Sequence, residues 1–111
     1  MDQFLGQLSM SLDNKQQKQF RSIGHQLSPI VIIAKGVNDN INSEIDRALK
    51  DHELIKIKVH SNDREAKKAL VHSICKSRGA ELVQLIGHVA LIYKPAKNPN
   101  PKLSNILRYK Q

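Results

Sequence analysis

Tryptophan is absent from this chain, and phenylalanine and tyrosine occur only twice each. A sheet that reads nucleic acid by stacking bases on several aromatic rings is therefore not expected. Cys75 is the only cysteine, which excludes an intramolecular disulfide and a Cys-x-x-Cys metal knuckle. It lies near the end of an apolar stripe with no base beside it, so it reads as a small core residue rather than a nucleophile. No apolar run approaches the roughly 20 residues that cross a bilayer. The first residues, MDQFLGQLSMSLDNK, lack a charged segment followed by a long apolar one, so no signal peptide is expected and the protein reads as cytoplasmic.

Catalytic signatures are missing as well. There is no GxxxxGK[ST], GxGxxG or GxSxG motif, which removes support for nucleotide hydrolysis and serine-hydrolase chemistry. The histidines His25, His52, His60, His72 and His88 fall in no HxxxH or HExxH pattern. No metal, no cofactor, no small-molecule substrate and no enzymatic activity are expected.

What is abundant is positive charge. Lys and Arg number 18 against 10 Asp and Glu, giving a net charge of +8 and a pI near 9.8. Polyanions are the natural partners of such a chain, with RNA or DNA first. A membrane surface fits less well, because no segment combines a basic face with Trp or Phe on the other. A length of 111 residues suits one domain with one core, and monomer is the default state.

The spacing of apolar residues predicts the order α-β-α-β-α-β-β. A helix capped by Asp13 or Asn14 runs to about Gln26, burying Phe20, Ile23 and Leu27. Lys15, Lys18 and Arg21 share its other side, as a solvated face or as an RNA-facing one. Pro29 opens the run Ile30 to Ile33, four β-branched residues that read as a strand buried on both faces. Asn38 caps the next helix, whose stripe is Ile41, Ile45, Ala48 and Leu49. Leu54 to His60 alternates with period two, placing Ile55, Ile57 and Val59 inward and Lys56, Lys58 and His60 outward. These two lysines read as the wet side of a strand, where lysine also discourages edge pairing, or as phosphate contacts. Asn62 caps a third helix that stops at Gly79. Glu81–Ile86 and Val89–Lys94 form a hairpin about Gly87-His88. A four-stranded mixed sheet with helices largely on one face would bury these stripes. Residues 1–10 read as a flexible leader, 11–95 as the domain, and 96–111 as a basic mobile tail with a short helix around Leu103 to Leu107.

The densest signal is Ser28 to Val59, where a strand passes to a helix through Ala34-Lys35-Gly36. Unpaired N–H groups at a helix start carry partial positive charge, so such a loop can hold an anion. An ordinary strand-to-helix turn is the plainer reading. Lys94 and the tail cations Lys97, Lys102, Arg108 and Lys110 add scattered charge.

The runs LDNKQQKQFRSIGHQLSPIVIIAKG, EIDRALKDHELIKIKV and NDREAKKALVHSICKSRGAELVQLIGHVALIYKP together resemble bacterial single-domain CRM proteins of the YhbY type, from about Leu12 to Pro95. CRM stands for chloroplast RNA splicing and ribosome maturation. The resemblance implies an α/β fold similar to the C-terminal domain of translation initiation factor three. It implies RNA binding without catalysis, and association with precursors of the large ribosomal subunit through rRNA. The family carries a GxxG loop between its first strand and the following helix, similar to the backbone clamp of KH domains. Here Gly36 matches the second glycine, Ala34 stands in place of the first, and the loop is one residue shorter. The expected RNA-binding set is Lys35, Gly36, Asn38, Lys15, Lys18, Arg21, Lys56, Lys58 and Lys94. A protein-interaction subunit docking on ribosomal or assembly proteins is the alternative, using a sheet edge and the tail.

Overall fold

The helices start where a short polar side chain can take up their first N–H groups. In the computed structural model, which describes residues 12–109, α1 is Asn14–Gly24, α2 Asp39–His52 and α3 Arg64–Arg78. Asp13 and Gln16 form a reciprocal capping box at α1, the Gln16 N–H donating to the Asp13 carboxylate at 2.7 Å. The Asn38 side-chain oxygen accepts the Ile41 N–H at 2.9 Å at α2. At α3 the cap is Asp63 and not Asn62. Its carboxylate accepts two N–H groups, from Glu65 at 2.9 Å and Ala66 at 3.2 Å, which the residue before it is one step too early to do. α1 also stops at Gly24, earlier than expected, with His25 as its C-cap.

The strands are β1 (Pro29–Ile33), β2 (Leu54–Val59), β3 (Glu81–Ile86) and β4 (Val89–Tyr93), and α4 is the short Asn105–Arg108. They form one mixed sheet in the order β1-β2-β4-β3, with β1 and β2 parallel and the other pairs antiparallel. This is the α/β four-stranded mixed sheet with packed helices that the sequence predicts. Gly87 turns the β3–β4 hairpin at φ +58°.

Helices cover both faces, in place of the one-sided arrangement expected. α2 and α3 pack on one face over Val31, Ile33, Ile55, Ile57, Ala90 and Ile92. α1 lies on the other, where Phe20 and Ile23 meet Leu54 and Leu91. Phe20 and Tyr93 stack at a tilt, with centroids 4.7 Å apart. Gly24 permits this approach, since a Cβ there would stand 2.7 Å from a Leu91 methyl carbon.

β1 is a second correction. It is an edge strand buried on one face only, with Val31 and Ile33 inside and Ile30 and Ile32 49% and 56% exposed. A run of β-branched residues reports strand propensity, but its outer face is covered only where another element reaches it. α1 packs over β2 and β3 instead.

The segment after Pro95, read as mobile, is anchored as far as Tyr109. Glu53 is buried, and its carboxylate accepts the Ser104 hydroxyl at 2.6 Å and the Ala96 N–H at 2.7 Å. The Asn105 amide donates to the Leu54 carbonyl at 2.7 Å. These partners are about 50 residues apart in the chain, so composition alone gives no sign of them. Residues 1–10 and Lys110 lie outside the described residues.

Candidate functional site

The turn from β1 to α2 is built on one left-handed residue. Gly36 has φ +88°, and a Cβ placed on it would meet nothing within 4 Å, so glycine is needed there for conformation and not for space. Among the described residues Glu53 is the only non-glycine with positive φ. Ala34 therefore sits in ordinary backbone, and alanine in place of a glycine introduces no strain. Lys35 is exposed between them. Asn38 spends its side-chain oxygen on the helix cap, and Asp39 puts a carboxylate in the first turn. Any attraction of this turn for an anion rests on Lys35 and on the helix start against that negative charge.

This turn lies at the end of the sheet where β2 leaves. The His60 N–H donates to the Ile33 carbonyl at 3.0 Å, and the Val59 N–H to the His88 carbonyl at 2.7 Å. The hairpin turn is thus beside it, with His60 and His88 rings 6.3 Å apart. On the face opposite α2 and α3, Lys56 and Lys58 are half-buried. The Lys56 ammonium donates to the Leu27 carbonyl at 3.1 Å, which holds it under the chain leaving α1. β2 is an interior strand, so these lysines do not guard an edge.

The remaining expected residues fall elsewhere. Lys15 and Lys18 are exposed on the outer side of α1, along a shallow groove of about 360 Å³ shared with Ser22 and Gln26. Arg21 is half-buried. Lys94 follows Tyr93, which pairs with Leu54 at the start of β2, whereas the Lys35 turn follows Ile33, paired with Val59 at its end. A six-residue strand separates them, roughly 20 Å. The structure thus places Lys35, Gly36, Asn38 and Lys58 toward one end of the sheet, with Lys56 on the same face as Lys58 but drawn toward the start of β1, and leaves Lys94 apart from them.

Lys94 belongs to a cleft of about 670 Å³, with Lys50, Arg78 and Lys97. Arg78 pairs with Asp46 at 2.7 Å, and the Lys94 ammonium donates to the Arg78 carbonyl at 3.0 Å. These contacts place cations at the C-terminal ends of α2 and α3, where the dipoles favour them. Cys75 is buried, and desolvation, with a smaller push from Glu81, raises its thiol pKa from 9.0 to about 11. It is protonated at neutral pH and is no nucleophile. Burial, then the Glu53 carboxylate, raises the Tyr93 phenol. Among the described residues no group of His, Cys, Asp and Glu is arranged to hold a metal, and no helix is long and apolar enough to cross a membrane. Two features escaped the sequence reading: the exposed isoleucines of β1, and Glu53 as a buried tie for the C-terminal segment.

Comparison with known proteins gives a consistent picture. A family model described as the CRS1 / YhbY (CRM) domain matches residues 12–94. A Pseudomonas aeruginosa protein named "probable RNA-binding protein" is 45% identical over 90% of this chain and 97% of its own. A Haemophilus influenzae "RNA-binding protein" is 35% identical over 84% of this chain and 95% of its own. The solution structure of a hypothetical Staphylococcus aureus protein, described as a candidate RNA binder, superposes with a TM-score of 0.70 at 37% identity, covering 85% of this chain and 98% of that one.

Proposed function

We propose RNA binding from one premise: the chain belongs to the CRS1 / YhbY (CRM) domain family. The observation that carries the proposal is the Lys35–Gly36 turn standing at the rim of a sheet face that bears Lys56 and Lys58. Phosphates of an RNA backbone meet Lys35 at the turn and Lys58 on the face, and the outer cations of α1 extend the positive field. The names of the Pseudomonas and Haemophilus relatives support the same reading. The role within the cell is proposed more finely as association with rRNA in precursor large ribosomal subunits, assisting their maturation in the cytoplasm. It is a binding role without catalysis, exercised by a monomer.

The test is sedimentation of a cell lysate through a sucrose gradient. The protein is expected with free or precursor large subunits at low salt and at the top of the gradient at high salt. A position at the top under low salt would remove the ribosomal assignment. Precursor rRNA left intact after long incubation with pure protein is the matching expectation for the absence of catalysis, and cleavage would overturn it.

A further inference from the structure

The half of the sheet face that α1 leaves open carries apolar and cationic side chains in a regular pattern. In the pairing register Ile32 stands beside Lys58, Lys58 opposite Val89, and Val89 opposite Ile86. One row therefore crosses all four strands, with isoleucine at both edges and lysine within. Strands lie about 4.8 Å apart, so the row spans roughly 15 Å. Ile30, Ile32 and Ile86 are 49%, 56% and 64% exposed, more than any other large apolar side chain among the described residues. A single exposed isoleucine is ordinary, but Ile32 and Ile86 on one face about two lysines form a patch. Ile30, next to the register shift between Pro29 and Val31, lies instead at the β1 edge beside Arg47 and His52 of α2. Behind the row a hollow of about 370 Å³ is walled by His25, Lys56, Gln84 and Leu91. Neither the row nor the hollow has a carboxylate in its walls. At its open end the shelf meets the hairpin turn and, through the end of β1, the Lys35 turn.

We infer that this shelf holds unpaired nucleotides, so that the protein prefers single-stranded RNA to duplex. The inference rests on the RNA binding proposed above and adds the class of RNA. In a duplex the base faces are stacked on one another and cannot reach a side chain. In an unpaired segment they can lie on Ile32 and Ile86 while the adjoining phosphates meet Lys58 and Lys56. Branched aliphatic side chains here stand where an aromatic platform would, and among the described residues Phe20, Tyr93 and Tyr109 belong to the cluster beneath α1. A partner whose backbone carries one anion per nucleotide beside each apolar base face matches a row in which Lys58 stands among Ile32, Val89 and Ile86.

The test measures binding of a short labelled unstructured RNA, and of the same strand annealed to its complement, to the full chain at one salt concentration. Wild type is compared with Ile32→Ser, Ile86→Ser and Lys35→Glu. The single strand is expected to bind about tenfold more tightly than the duplex. Each isoleucine variant is expected to weaken the single strand about fivefold, with duplex affinity and salt dependence unchanged because no charge is altered. Both isoleucines are exposed, so the variants should keep the wild-type circular dichroism spectrum, and either one alone decides the question. Equal affinity for strand and duplex, or isoleucine variants that bind as wild type, would overturn the inference. If Lys35→Glu still weakens binding in that case, the shelf fails and the RNA reading stands. If no form of RNA is bound by wild type at low salt, both fail. Isoleucine variants that lose a ribosomal protein partner while keeping RNA affinity would assign the shelf to protein and overturn the inference.

Discussion

Gly36 and Ala34 flank Lys35 with different backbones. Only Gly36 has the left-handed backbone, at φ +88°. Gly36→Ala should destabilise the protein by about 1 kcal/mol, because an L side chain is strained there. Ala34→Gly should not stabilise it, since no strain is relieved and the unfolded chain gains freedom. Urea unfolding of the two variants checks both signs, and a silent Gly36→Ala would contradict the assigned turn. Cys75 gives a pH prediction. Its thiol is raised from 9.0 to about 11 by burial, so the folded protein keeps a proton that the unfolded chain loses first. The resulting stability is present below pH 9 and is lost as pH rises through about 11. Cys75→Ser should flatten the alkaline fall of the unfolding midpoint. A thiol reagent at neutral pH should label the native protein only through opening of α3.

At the scale of elements, the tie between Glu53 and the C-terminal segment is the least expected feature. Glu53 adopts φ +63° at the end of α2, a costly backbone for glutamate, and its carboxylate is satisfied by Ser104 and Ala96. Ser104→Ala and Asn105→Ala should each cost about 1–3 kcal/mol, the loss expected when a buried polar partner goes unpaired. Thermal unfolding measures this, and variants as stable as wild type would show the segment to be loosely held. Elements with a local signal were legible in the sequence: the capping residues Asp13 and Asn38, the stop at Gly79, the alternation of Leu54 to Val59, and the hairpin at Gly87. What was not legible depends on partners far along the chain. The period of Phe20 and Ile23 shows that α1 has a buried side but not which face of the sheet receives it. Ile30 to Ile33 spells a strand but not that its outer face stays bare. Of the candidate site, the Lys35 turn and the outward lysines of β2 were readable from pattern, whereas the distance of Lys94 from them follows only from strand order.

The whole molecule has one end and face where positive charge is combined with exposed apolar surface, and another end where cations serve the C-termini of α2 and α3. The first is the proposed RNA surface. Lys35→Glu combined with Lys18→Glu should lower RNA affinity while leaving the melting temperature unchanged, because both side chains are exposed. Lys50→Glu combined with Lys97→Glu, in the cleft at the other end, should have a smaller effect at equal change of charge. If the two double variants act alike, net charge and not the proposed face governs binding.

The measurement closest to the central claim is a titration of labelled single-stranded RNA with wild type and Lys58→Glu over a series of salt concentrations. Binding through several phosphates predicts a steep linear fall of log affinity with log salt, at a slope near −0.7 per phosphate contacted on a single strand. Lys58→Glu should make that slope shallower by about the amount of one contact. An affinity that does not change with salt, or a slope that Lys58→Glu leaves untouched, would contradict phosphate binding on this face.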